Sequence, residues 1–75
     1  MISNSFKDYI KYFCFNYGTT KPIYKTILCD SEIEIIDKLI EMNIIYKSEI
    51  VKDTKTNIVY YLRYDCNELR EKELI

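Results

Sequence analysis

The hydrophobic pattern of this chain turns from helical to strand-like at Asn43, and no other feature constrains the fold as tightly. Before that point apolar residues recur in steps of three and four. Ile33, Ile36, Leu39 and Ile40 form one such stripe within DSEIEIIDKLIEMNIIYK, residues 30–47, which is the spacing of an amphipathic helix. After it, the runs IIYKSEIVK and NIVYYLRY are β-branched and aromatic, and the polar turn DTKT lies between them. That combination predicts a hairpin. In the second run Ile58, Tyr60, Leu62 and Tyr64 share one face, and Val59, Tyr61 and Arg63 share the other, because strand side chains alternate. Both faces carry apolar bulk. One is expected to pack on helices and the other to be half covered, another chain being one candidate cover. Asn43 stands where a glycine often ends a helix, and asparagine tolerates the left-handed conformation needed there.

The remaining segments read as helices. Residues 3–17, SNSFKDYIKYFCFNY, place Phe6, Ile10, Phe13 and Tyr17 on one stripe, widened by Tyr9 and Cys14. Ser3 or Ser5 can cap that helix, Asp8 suits its N-terminal end, and Gly18 provides a left-handed stop. A second, short helix is expected from Thr20 as cap, with Pro22 in its first turn and Ile23, Ile27 and Leu28 on its apolar face. Asp30 or Ser31 caps the third helix. Ile35 falls off the third helix's stripe, beside Glu34 and Lys38, and is expected to be exposed. Asp65 and Glu68 are spaced as a capping box before Leu69 on a short terminal helix. The expected order is helix, helix, helix, strand, strand, helix, an α+β domain that is mainly α.

Length and composition narrow the class. Seventy-five residues predict one domain with a thin core, and a single glycine and a single proline argue against disorder. Isoleucine, lysine, tyrosine and asparagine are heavily used, and their AT-rich codons fit a bacterial, archaeal, phage or viral source. No apolar run is long enough to span a bilayer, and MISNSFKDYIKYF does not read as a secretory signal, so an intracellular, cytoplasmic protein is expected. Three cysteines, Cys14, Cys29 and Cys66, lie far apart and no histidine is present. A zinc site is not expected, and the thiols read as buried small hydrophobes with one disulfide left open. Without histidine, a nucleophile–base pair or a glycine-rich phosphate loop, the chain reads as a non-enzyme with no cofactor and no metal. The acidic pairs Asp30/Glu32 and Glu71/Glu73 read as solvated charge.

Eleven basic residues face twelve acidic ones, so any surface for nucleic acid must come from segregation. Lys21, Lys25, Lys47, Lys52 and Lys55 lie in the middle third, and Glu68, Glu71 and Glu73 near the end. The alternative is a mixed, solvated surface.

Several stretches together resemble the winged helix-turn-helix superfamily over nearly the whole chain. GTTKPIYKTIL is similar to the turn into that family's second helix. Leu39, Asn43, Ile44 and Ile45 match the end of its third helix and the start of its wing, and Tyr60 and Leu62 match its second wing strand, with Arg63 where a threonine is common. The resemblance implies a winged helix of three helices, a two-stranded wing and a short C-terminal helix. It also implies a DNA-binding transcriptional regulator, with double-stranded DNA contacted by Lys21, Lys25, Ser31, Glu34, Ile35 and Lys38 of the helical part and by Lys52, Thr54 and Lys55 of the wing. The third helix departs from that role in charge, since Glu32, Glu34, Asp37 and Glu41 outnumber Lys38 and phosphates repel carboxylates. A second expectation therefore stands beside the first, a protein-interaction module whose acidic third helix meets a basic protein surface. A phage or viral inhibitor, or a subunit of a nucleic-acid-processing assembly, would have this form. A homodimer through Leu69 and Leu74, or through the aromatics of the first helix, would strengthen either role.

Overall fold

Three α-helices pack on one face of a three-stranded antiparallel sheet. The computed structural model of the protein describes residues 4–75, in the order α1 (Asn4–Asn16), β1 (Ile23–Tyr24), a 3-10 turn (Lys25–Ile27), α2 (Asp30–Glu41), β2 (Ile45–Lys52), β3 (Lys55–Leu62) and α3 (Cys66–Glu71). The sheet order is β1-β3-β2.

Helix α1 buries the expected stripe, with Ile10, Phe13 and Cys14 in the core and Phe6, Tyr9 and Tyr17 packed around them. It stops as its sequence requires: Gly18 takes a φ of 63°, and the N–H groups of Tyr17 and Gly18 both donate to the Phe13 carbonyl, at 2.8 and 3.2 Å. Ser3 lies outside the described residues, and Ser5 falls inside the helix rather than at its cap.

The second helix does not form. Ile23 and Tyr24 instead pair with Tyr60 and Val59 of β3, and only the single 3-10 turn follows. Thr20 and Pro22 lead into a strand rather than starting a helix. Ile23 is completely buried there, whereas Ile27, expected on an apolar helix face, is 62% exposed. The open edge of β3 carries backbone N–H and C=O groups that need partners. A β-branched residue followed by an aromatic supplies them better than a helix too short to sustain itself.

Helix α2 is capped by Cys29, not by Asp30 or Ser31, which both lie within the helix. The Glu32 carboxylate accepts from the Cys29 N–H at 3.1 Å, while Asp30 and Glu32 sit at the positive end of the dipole. The helix ends at Asn43, whose φ is 61°, and the Ile44 N–H donates to the Leu39 carbonyl at 2.9 Å. Ile36 and Leu39 are fully buried. Ile35, expected to be exposed, packs against the core, and Ile33 is only half buried. The apolar face is thus turned from the simple stripe, because the helix is covered by α1 on one side as well as by the sheet beneath it.

The hairpin runs in register from Ile45↔Leu62 to Lys52↔Lys55, which leaves a two-residue turn, Asp53–Thr54. Both residues have left-handed φ values, 51° and 63°, as a type I′ turn requires. Beyond β1 the hairpin has only two strands, and its residues from Val51 to Thr56 are exposed. It therefore projects from a molecule measuring 40 × 23 × 19 Å. The sheet is three-stranded where β1 pairs with β3, in place of the two-stranded hairpin expected. Helix α3 is capped as expected, the Asp65 carboxylate accepting from the Glu68 N–H at 2.8 Å. Leu69 is fully buried, so it is not left for a dimer, and Leu74, partly buried, packs on the same core.

Two substitutions test these assignments. Thr54 is β-branched at a positive φ, which strains it; Thr54→Gly is expected to raise unfolding stability by about 1 kcal/mol, read from the urea midpoint. Ile35→Asp buries a carboxylate against the core and is expected to lower stability by about 1–3 kcal/mol, seen as a lower melting temperature by circular dichroism. An unchanged melting temperature would place Ile35 on the surface.

Candidate functional site

The register of the hairpin decides which side chains share a surface. Ile45, Tyr60 and Leu62, with Ile23 of β1, point under the helices and join Ile36, Leu39, Phe13 and Leu69 in the core. The opposite, outer face carries Tyr46, Ser48, Ile50 and Lys52 of β2 against Tyr61, Val59, Asn57 and Lys55 of β3. Tyr24 flanks Val59 from β1, and Arg63 continues β3 by donating its N–H to the Ile44 carbonyl at 2.9 Å. None of these outer positions is acidic.

At one end of that face Tyr46 and Tyr61 stack across the strands, with ring centres 5.4 Å apart and planes 21° from parallel. The Arg63 guanidinium lies 5.1 Å over the Tyr46 ring. Val59, at the middle of the face, is completely buried, between Tyr24 of β1 and Ser48 of β2. Lys52 and Lys55 occupy the other end, directly opposite one another and both exposed. Like charges in that position are destabilising.

The residues expected to make contacts divide into separate groups. Lys52, Thr54 and Lys55 come together at the hairpin tip. Lys25 lines a groove beside β3 with Thr26, Ile33, Thr56 and Asn57. Lys21 is exposed in the turn after α1, its N–H donating to the Tyr17 carbonyl at 3.3 Å. On α2, Ser31 and Glu34 are exposed, with the Ser31 hydroxyl 3.1 Å from the Cys29 sulfur. Lys38 is turned toward α1, its Nζ 5.8 Å from the centre of the Phe6 ring. Ile35 is half buried and packs against the core. The outward side of α2 is acidic, with Asp30, Glu34, Asp37 and Glu41 all exposed. The Tyr46–Tyr61–Arg63 stack was not anticipated. Its signal was present in the sequence, because a two-residue turn at Asp53–Thr54 puts Tyr46 opposite Tyr61.

Cys14 is buried, Cys66 is half buried and Cys29 is exposed, and all three are free thiols. The expectation of buried cysteines therefore fails at Cys29. The Cys14 thiol donates to the Lys11 carbonyl at 3.3 Å. Burial first, then the neighbouring Cys66 thiol, pushes its pKa from an ordinary 9.0 up to about 12. Burial also raises the pKa of Tyr60, reinforced by the charge of Asp37. No group of three or more histidine, cysteine, aspartate or glutamate residues among those described can hold a metal ion, and no described helix is long and apolar enough to cross a membrane.

The Cys14 shift has a defined sign. Above pH 9.0 the unfolded chain loses a proton that the folded chain keeps until about pH 12, so stability is full below that window and declines as pH rises through it. The urea midpoint is expected to fall between pH 9 and 11, and to fall less in Cys14→Ala, which removes the titrating group. Among known proteins, no family model, no curated protein and no solved structure matches this chain.

Proposed function

We propose that this chain is a non-enzymatic DNA-binding regulator of winged-helix type in which the hairpin, rather than α2, carries the binding. One observation bears most of the weight. Lys52 and Lys55 face each other at the tip of a projecting hairpin, an arrangement that costs the free protein energy and that a phosphate between them would relieve. The helix–hairpin order, the left-handed Asn43 between them and β1 alongside β3 support the winged-helix reading. The acidic outward side of α2 makes it a poor reader of base edges and shifts the burden to the wing. Tyr12 and Phe15 are 52% and 67% exposed on α1, and a homodimer through them would present two hairpins to one duplex.

A second reading has its own support. Asp30, Glu34, Asp37 and Glu41 form a continuous acidic side on α2, next to an open groove lined by Asp8, Tyr9, Tyr12 and Glu32. That surface suits a basic protein, with tyrosine providing amphipathic contact area.

Fluorescence anisotropy of labelled duplex DNA, from low to physiological salt, separates the two. Under the first reading binding weakens steeply with salt. Lys52→Ala with Lys55→Ala then lowers affinity for all sequences alike and flattens the log–log salt slope by about 2, without loss of folding stability. Absence of binding at low salt would instead favour the protein-interaction reading.

A further inference from the structure

The outer sheet face is suited to more than phosphate contacts. A duplex hides the faces of its bases, so a platform of stacked rings gains little from it. A single strand exposes those faces, and proteins that hold single strands combine aromatic platforms with cations that follow the backbone. The outer face has both parts. Tyr46 is 36% exposed and is stacked on Tyr61, and the Arg63 guanidinium over it adds another plane on which a base can lie. Lys52 and Lys55 lie at the far end of the same face. From Lys55 to Tyr61 the strand rises about 20 Å, a span of a few nucleotides, toward the small end of the ~4–16 bound by one oligonucleotide-binding fold.

The charge is complementary as well. Every charged residue on the outer face of the hairpin and at its continuation is cationic, namely Lys52, Lys55 and Arg63. Ile50, half buried, lies between the two polar ends, and Val59 is buried beside it.

We propose that this face binds a short segment of single-stranded DNA, with bases stacked on the Tyr46–Tyr61–Arg63 platform and phosphates held at Lys52 and Lys55. The proposal rests on the DNA-binding reading above and narrows its ligand from duplex to single strand. Tyr46 and Tyr61 supply stacking that does not depend on base identity, so binding is tolerant of sequence. Ser48 and Asn57 lie between the rings and the lysines and offer hydrogen bonds to exposed base edges.

The experiment is anisotropy of a labelled thymidine oligonucleotide of about ten residues, long enough to cover the face, beside a duplex of equal length. The single strand is expected to bind at least about tenfold more tightly than the duplex. Tyr46→Leu and Tyr61→Leu keep apolar strand residues but remove the rings, and each is expected to weaken single-strand binding about tenfold with the salt slope unchanged. To avoid dependence on any variant's folding, the unaltered protein is also titrated with the oligonucleotide by NMR. Shifts concentrated at Tyr46, Val59, Tyr61 and Arg63 support the proposal, and shifts centred on α2 overturn it. Equal binding of duplex and single strand, with both leucine variants unaffected, overturns the stacking platform and leaves the DNA-binding reading intact. Loss of all binding, duplex included, removes both. A uridine oligonucleotide bound tenfold more tightly than the thymidine one overturns DNA as the partner, and a polyglutamate peptide bound as tightly as DNA reduces the face to charge alone.

Discussion

Burial of the inner row of the central strand is the interaction on which the rest of this molecule depends. Tyr60 and Leu62 of β3 lie in the core with Ile23 of β1 and Ile45 of β2 at almost zero exposure, and every helix contributes to the same cluster through Phe13, Ile36, Leu39 or Leu69. A chain of this length removes only about three-fifths of its unfolded surface from water, so few residues can be spared from that cluster. The C-terminal tail is drawn in too, with Leu74 and Ile75 packed at the margin. What remains free for partners is what the core does not need: the hairpin tip, the outer sheet face and the outward sides of α1 and α2.

The elements that could be read from the sequence were those whose signal is local. The stripes of α1 and α2, the left-handed stops at Gly18 and Asn43, the Asp65–Glu68 cap and the alternation of β3 each depend on a few neighbouring residues. Residues 19–28 were not legible because their conformation is imposed from a distance. Pro22 and Thr20 are compatible with a helix start, and only the unpaired edge of β3, more than thirty residues away in the chain, makes Ile23 and Tyr24 a strand. Ile35 and Ile33, expected exposed and buried respectively, are both half buried for a similar reason. A stripe drawn for a helix resting on one surface does not anticipate that α1 covers a second side.

The candidate contact residues followed the same division. Lys52, Thr54 and Lys55 were placed correctly at a projecting tip, because a polar turn between two strand-like runs is a local pattern. The tyrosine–arginine stack needs the register, and the register needs the turn length. Once Asp53 and Thr54 are fixed as a two-residue turn, the pairing of Tyr46 with Tyr61 follows. The Cys29 cap was missed because cysteine is not among the residues that ordinarily begin helices. Here Glu32 supplies the hydrogen bond from three residues on.

The formal charge of −1 conceals a polar molecule. Asp30, Glu34, Asp37 and Glu41 recur along α2 at helical spacing, while Lys52, Lys55 and Arg63 occupy the outer hairpin face. Charge of each sign is thus gathered on a separate element, and the local field beside either one exceeds what the net value suggests. Added salt shortens the reach of both fields to about 8 Å at physiological strength.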